Sequence, residues 1–148
     1  MSATAVYLEG LYIAAGAALA TWIFSILRRD VSIVDSLWPL LFLLMAGAYA
    51  LGAGAVGPRT ALVLSLVSAW AVRLSSYITW RNWGHGEDRR YQAIRARNQP
   101  NFPLKSLYLV FALQALLAWI ISLPLLAAIL NVSPLGAWDV LGLSLIHI

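Results

Sequence analysis

Cysteine is absent from the sequence, and charged residues are scarce. The absence of cysteine excludes disulfide bonds, cysteine metal ligands and thiol nucleophiles, although it says little about the compartment. Charged residues make up 11% of the chain, whereas soluble domains carry about 25%. Hydrophobic residues make up 61%, and the mean hydropathy is +0.80. A soluble core could not absorb this much apolar surface, so we expect a membrane protein.

Familiar catalytic and metal-binding motifs are missing as well. The chain has no G-x-S-x-G, H-E-x-x-H or P-loop, and Gly84-x-Gly86 lacks the strand and the third glycine of a dinucleotide fingerprint. His85, Glu87 and Asp88 have no ligand pair at helical spacing, so we expect no metal site. The net charge of +4 does not indicate nucleic acid, because the basic residues cluster in loops between apolar runs.

Long apolar runs dominate what the chain does contain. Residues 6–27, 33–52, 60–80 and 106–130 each have the length and composition of a membrane span. A fifth apolar run, 135–148, covers about 21 Å as a helix, which is too short to cross a bilayer. The predicted fold class is therefore all-α, a polytopic transmembrane helical bundle with four full spans and a truncated fifth.

The end of the chain carries a separate expectation. Residues 143–148 resemble the translation of a sequencing adapter, so we expect them to be a non-native tail. Residues 1–142 then represent the N-terminal half of a longer membrane domain, and the fragment alone is expected to be inactive. No cleavable signal peptide is expected, since the N-terminus lacks a basic region and its first apolar run is long enough to span.

The basic residues predict an orientation. Arg28, Arg29 and six basic residues between 81 and 105 lie in the first and third loops, whereas the second loop holds Arg59. The positive-inside rule then places the N-terminus outside and the 81–105 loop in the cytoplasm of a bacterial inner membrane. Within that loop, residues 87–97 are expected to form a short interfacial helix whose charges suit the helix dipole.

Arg73 is the candidate functional residue inside the third span, where a charge costs a few kcal/mol. Trp70 precedes it and Tyr77 and Trp80 follow it at helical spacing, and together they predict one aromatic and cationic face. Such a face suits an anionic or carbonyl-bearing ligand with a flat apolar body. A structural ion pair, with the aromatic rings in the interface belt, is the alternative. In either case we expect Asp35 to lie within salt-bridge or one-water distance of Arg73.

The block Gly84-His85-Gly86-Glu87-Asp88-Arg89-Arg90-Tyr91 is the second candidate. Its arginines could hold phosphates beside a helix N-terminus. The same residues would also suit a charged helix that lies on anionic lipid. Residue type alone leaves both interpretations open.

Several segments together carry a resemblance to a known family. They are Asp35-Ser36-Leu37-Trp38, Arg73 through Tyr77, Arg81 through Tyr91, Phe102, Ser106-Leu107 and Phe111-x-x-Gln114. Over about residues 31–124 the chain resembles a bacterial membrane family of unknown function that is grouped with the steroid 5-alpha-reductases. The wider superfamily also contains sterol reductases and isoprenylcysteine carboxyl methyltransferases. Much of its cofactor site lies in a later Arg-His-Pro-x-Tyr-like motif, which this chain does not contain.

The resemblance implies a helical membrane enzyme that reduces the activated carbon–carbon double bond of a lipid-like enone with NADPH. Asp35, Arg73 and Tyr77 are the candidate catalytic residues. The candidate cofactor-binding residues are Arg81, Glu87, Asp88, Arg89, Arg90 and Tyr91. Trp70 stands where the steroid reductases have a carbonyl-polarising tyrosine. A lipid methyltransferase that uses S-adenosylmethionine and a non-catalytic membrane component are the alternatives.

Overall fold

The computed structural model describes residues 2–131, 133–137 and 139. The elements are α1 (Ala3–Arg28), α2 (Ile33–Ala53), α3 (Pro58–Asn82), α4 (Arg89–Arg97), α5 (Phe102–Ser106), a turn of π-helix (Leu107–Ala112), α6 (Leu113–Ile121) and α7 (Leu123–Leu130). No strand occurs within these ranges. The predicted all-α fold is therefore confirmed.

Four helical stretches are long and apolar enough to cross a membrane: α1, α2, α3 and the combined stretch Phe102–Leu130. They coincide with the four predicted spans, and α4 lies where the short helix of the third loop was expected. The truncated fifth run and the tail at 143–148 fall outside the described residues, apart from 135–137 and 139. The orientation and the kind of membrane stay predictions.

The second helix, α2, is the centre of the bundle. The helices α1 and α3 pack on α2 rather than on each other, and the Phe102–Leu130 stretch packs mainly against α1 and α2. Half of the apolar window of α2 is buried, against 11% for α3. Leu41, Met45 and Tyr49 are fully buried along one face of α2 at a spacing of four residues. One face of α3 is left uncovered by the described part of the chain.

At the end of the bundle away from α4, besides the Arg59–Asp139 salt bridge, neutral hydrogen bonds join what we call the tyrosine cluster: Tyr7, Gly10, Tyr49, Trp119 and Ser122. The Tyr49 hydroxyl donates to Ser122 Oγ over 2.7 Å, because Ser122 Oγ itself donates to the Trp119 carbonyl. Tyr7 and Trp119 stack with ring centroids 4.4 Å apart and exchange two side chain to backbone hydrogen bonds. Gly10 lets α1 approach the Tyr49 ring so closely that a Cβ atom would collide with it.

The Phe102–Leu130 stretch is interrupted twice. Its buried positions Phe102, Ser106, Val110 and Ala115 are spaced by four, four and five residues. A regular α-helix of 3.6 residues per turn would carry them off one face. The wide π-helical turn absorbs the excess and keeps them together. The second interruption is at Ser122, one residue before the first turn of α7, where Pro124 fits because an N-terminal turn needs no N–H donor there.

Candidate functional site

An open cavity of about 710 Å³ lies at the end of the bundle where α1 ends, α2 begins and α3 ends, which we call the arginine-rich end. Its volume is within the range of small-molecule sites. The polar lining comes from Asp35 and Trp38 of α2, Tyr77 and Arg81 of α3, Asp88 and Arg90 at the start of α4, and Gln114 of α6. Five of the nine residues proposed from the sequence therefore meet in one cavity.

Asp35 is held by two partners from α4. Its Oδ2 accepts a hydrogen bond from the Arg90 guanidinium at 2.9 Å, and its Oδ1 accepts one from the Tyr91 hydroxyl at 2.6 Å. Asp35 comes in the first turn of α2, where a carboxylate is favoured by the positive end of the helix dipole. The carboxylate thereby fixes α4 against the start of α2.

Asp88 caps α4 and holds Arg90 from the other side. Its Oδ1 accepts the Arg90 backbone N–H at 2.9 Å and the Arg90 Nε–H at 3.0 Å. These hydrogen bonds lower the pKa of Asp88, the side-chain bond from Arg90 contributing most. The same bond, together with the charges of Asp35 and Asp88, raises the pKa of Arg90. Arg90 is therefore a permanent cation between two carboxylates.

Tyr91 is buried, with 7% of its surface exposed. Burial, followed by the hydrogen bond to Asp35, raises the pKa of Tyr91 above its ordinary value. Its hydroxyl is therefore a neutral donor that is committed to Asp35, and its role is to position the carboxylate.

One wall of the cavity presents hydrogen-bond donors of α3. The Tyr77 side chain is 52% exposed, and the Arg81 guanidinium lies 6.0 Å from the centre of its ring. Arg81 has no carboxylate within salt-bridge distance among the residues that the structure describes. Its Nε–H donates to Asn82 Oδ1 at 3.3 Å. Tyr77 and Arg81 thus line the cavity with a hydroxyl and a guanidinium that has no salt bridge.

The direct ion pair expected between Arg73 and Asp35 is wrong, because Asp35 pairs with Arg90 instead. Arg73 is exposed, and within the described ranges no acidic side chain lies within salt-bridge distance of it. Ala71 lies on the packed face of α3. Arg73 follows two residues later, so its side chain is turned by ~200° from that face. Tyr77 is turned by ~40° from Arg73 towards the cavity and lies one helical turn nearer the arginine-rich end.

The predicted common face of α3 is accordingly divided. Trp70 packs edge-on against Phe42 of α2, with centroids 5.8 Å apart. Trp80 is 76% exposed and touches the Tyr77 ring at a centroid distance of 6.4 Å. Helical spacing grouped these residues correctly to within one quarter of a turn, which is too coarse to decide which of them reach the cavity.

Glu87 serves as an anchor outside this cavity. Its two oxygens accept both Nε–H and Nη2–H of Arg95, at 2.8 and 2.7 Å, and Oε1 also accepts the Val31 N–H at 2.9 Å. Burial alone would raise the pKa of Glu87, but the bonds from Arg95 and Val31 more than offset it, so the pKa is lowered. This arrangement ties the loop before α4 to the start of α2.

The remaining proposed residue, Arg89, is exposed at the first position of α4 and has no salt bridge in the described part of the chain. Nowhere in residues 2–131, 133–137 and 139 do three His, Cys, Asp or Glu side chains form a group that could hold a metal ion.

Trp38 and Gln114 are cavity residues that sequence reasoning did not assign to the site. Trp38 Nε1 is buried and has no acceptor among the described residues, and such orphaned donors are rare in native structures. Both residues stand in the segments that carry the family resemblance, which is the signal that could have identified them.

Comparison with known proteins gives a family and a distant relative. A family model described as a protein of unknown function (DUF1295) matches residues 21–148. An uncharacterized protein of Schizosaccharomyces pombe, C594.04c, is 31% identical over 134 residues, which cover 84% of this chain and 38% of that protein. The chain therefore spans well under half the length of this relative. No solved structure matches the chain.

Proposed function

The chain belongs to the family of proteins of unknown function DUF1295, and we propose that it forms the substrate side of a membrane reductase that acts on a lipid-like enone with NADPH. The observation that carries the proposal is the cavity at the arginine-rich end, which Tyr77 and Arg81 line together with the Asp35–Arg90 salt bridge. The resemblance to the steroid 5-alpha-reductases supplies the reaction class. The longer S. pombe relative leaves room for the rest of a cofactor site in a complete protein.

The donors in the cavity suit a carbonyl group. Reduction of an enone develops negative charge on the carbonyl oxygen, and hydrogen-bond donors placed in advance stabilise such charge. The Tyr77 hydroxyl is the proton donor in this proposal. The Gln114 amide is a further donor in the lining of the cavity. An oxygen that reached Trp38 would also satisfy its orphaned indole N–H.

The residues present fit a phosphate-bearing cofactor through two arginines. Arg81 and Arg89 have no carboxylate partner in the described chain and are suited to bidentate phosphate contacts. Arg90 is already occupied by Asp35 and Asp88, so its role is to hold the cavity entrance together. NADPH, when bound, would supply the hydride.

The experiment is a comparison of binding and turnover in a complete protein that contains this chain, purified in detergent. NADPH binding is followed by energy transfer from tryptophan to the nicotinamide, and enone reduction by loss of NADPH absorbance. Tyr77→Phe is expected to lower turnover by about 100-fold with unchanged NADPH affinity. Arg81→Ala is expected to weaken NADPH affinity about tenfold or more.

Arg73→Ala is the matched control, because it removes an arginine from the same helix outside the cavity. It is expected to leave both the NADPH affinity and the turnover unchanged. Absence of NADPH binding, or equal loss in Arg73→Ala and Arg81→Ala, would overturn the proposal. Binding of S-adenosylmethionine in place of NADPH would favour the methyltransferase alternative.

A further inference from the structure

A second cleft lies on the other side of α2. A cavity of about 690 Å³ opens between the C-terminal ends of α1 and α3, and a groove of about 390 Å³ continues from it between the same two helices. Phe24, Ile33, Ser36 and Thr79 line both, so the two spaces are continuous. The groove exists because α1 and α3 pack on α2 rather than on each other.

The wide end of this cleft is cationic. Arg28 and Arg29 line it, and neither has a salt bridge within the part of the chain that the structure covers. The two carboxylates in the same wall are engaged elsewhere. Asp30 accepts the Ser32 N–H at 2.9 Å, and Glu87 binds Arg95. Two guanidinium groups therefore lie at this end of the cleft without a salt bridge in the described chain, although Asp30 keeps its negative charge beside them.

The narrow end is apolar. It runs along α1 from Arg28 to Ala20, about 12 Å below the surface, between Phe24, Leu37 and Leu40.

Hydroxyl groups along this groove are already satisfied within the bundle. Thr21 donates to the Ala17 carbonyl at 2.8 Å, and Ser75 donates to the Ser36 carbonyl at 2.8 Å. Thr79 donates to Ser36 Oγ at 3.0 Å. The groove therefore offers a hydrocarbon chain a surface with no unmet hydrogen bonds from these side chains.

We propose that this cleft is a binding site for an anionic phospholipid. The phosphate lies between Arg28 and Arg29, and one acyl chain follows the groove towards Ala20. The charge at the surface and the apolar path below it match the two parts of such a lipid and the order in which they occur across a leaflet. This site shares one lining residue, Asn82, with the candidate reductase cavity and otherwise has its own walls, and the proposal does not rest on the proposed function.

The test compares lipids that differ in head-group charge. The purified chain in detergent is titrated with phosphatidylglycerol and with phosphatidylcholine of the same acyl chains, and bound lipid is counted by native mass spectrometry. Phosphatidylglycerol is expected to bind more tightly. Arg28→Ala is expected to weaken it about fivefold and the Arg28→Ala, Arg29→Ala double variant about 25-fold.

Arg97→Ala is the matched control for the head group. Arg97 is likewise an exposed arginine in the last turn of a helix at the same end of the bundle, and it has no salt bridge in the described chain. Its substitution is expected to change binding less than twofold. Equal loss in Arg97→Ala and Arg28→Ala would overturn the proposal, because binding would then follow net charge alone.

A second variant tests the acyl chain. Ala20→Phe places a large apolar side chain on an exposed position of the groove without changing charge. It is expected to weaken the binding of phosphatidylglycerol at least fivefold and to leave the binding of glycerol 3-phosphate unchanged. Glycerol 3-phosphate binding as tight as that of the lipid, or unchanged lipid binding in Ala20→Phe, would identify a free-anion site and overturn the lipid assignment.

Discussion

Two buried tyrosines hold opposite ends of the bundle by different means. The Tyr49 hydroxyl donates to a neutral partner, Ser122, in a closely packed region where α1 approaches through Gly10. The Tyr91 hydroxyl donates to the Asp35 carboxylate beside an open cavity of about 710 Å³. Both rings are buried and both bonds join elements distant in sequence, so burial and bonding alone do not distinguish structure from function.

The difference lies in what surrounds each hydroxyl. Around Tyr49 the neighbours fill the space, and their donors and acceptors are neutral and mutually satisfied. Around Tyr91 the neighbours are charged and border empty volume. Charged groups are costly at membrane depth unless they are paired or wet. A charged network placed beside a cavity is therefore the stronger indication of a ligand site.

The largest expected effect is at the close approach of α1 to Tyr49. Gly10→Ala places a Cβ atom against the enclosed Tyr49 ring, which has no room to move. We expect a loss of about 3 kcal/mol in the free energy of unfolding, measured by SDS titration in detergent micelles.

Gly16→Ala is the matched control on the same helix, since no atom lies within 4 Å of its added Cβ. It is expected to be neutral or to stabilise α1 by about 0.5 kcal/mol. Similar losses in both variants would mean that helix propensity, and not packing on Tyr49, governs this end of the bundle.

A smaller effect is expected at the charged end. Glu87→Gln keeps the shape of the side chain but weakens its bonds to Arg95 and Val31. We expect unfolding to become easier by about 2 kcal/mol at neutral pH. Glu9→Gln makes the same chemical change at a glutamate with no salt bridge in the described residues, where one buried oxygen has no donor. Glu9→Gln is expected to leave the free energy of unfolding unchanged.

The pH dependence of Glu87→Gln has a definite sign. Because the pKa of Glu87 is lowered in the folded protein, its stabilising contribution is complete above its ordinary pKa and is lost as the pH falls through the lowered value. The difference between the natural chain and Glu87→Gln should therefore shrink below about pH 4. Asp88, whose pKa is also lowered, titrates in both proteins and does not affect this difference. A stability difference between the two proteins that did not change with pH would exclude the charge of Glu87 as its cause.

The smallest expected effect concerns Arg73. Because it points away from Asp35, Arg73→Gln should change the free energy of unfolding by less than about 0.5 kcal/mol. A double-mutant cycle with Asp35→Asn should give a coupling energy below about 0.5 kcal/mol. A coupling energy of about 1 kcal/mol or more, on the order seen for contacting groups, would show that Arg73 interacts with Asp35 and would contradict the Asp35–Arg90 pairing.

The helices were predictable because their signals are long and redundant. Each span is defined by some twenty apolar residues between arginines, glycines or prolines, so single ambiguous positions did not matter. The α4 helix was predictable from the charge order between Glu87 and Arg97. The interruption at Leu107–Ala112 was not, because a π-helical turn has no signature in residue type and is visible only in the spacing of buried positions.

The sequence predicted which residues line the candidate site better than it predicted which of them bind one another. Asp35, Tyr77, Arg81, Asp88 and Arg90 do line one cavity. Their partners were misassigned because the rotation of α3 about its axis decides whether Arg73 or Tyr77 reaches inward, and sequence fixes that rotation only through packing on α2. Arg90 also stands at the start of α4, and the position of α4 over Asp35 depends on the preceding loop, which the Glu87 anchor holds.

The wide turn at Leu107–Ala112 also limits how the length of this chain can vary. Deleting one residue there would permit an unbroken α-helix of the same apolar character. Because the π-helical turn holds one residue more than a regular α-helix needs, this deletion would leave Gln114 facing the cavity. An insertion, or a second deletion, would turn the downstream helix by ~100° and swing Gln114 away from the cavity, even though no cavity side chain is altered.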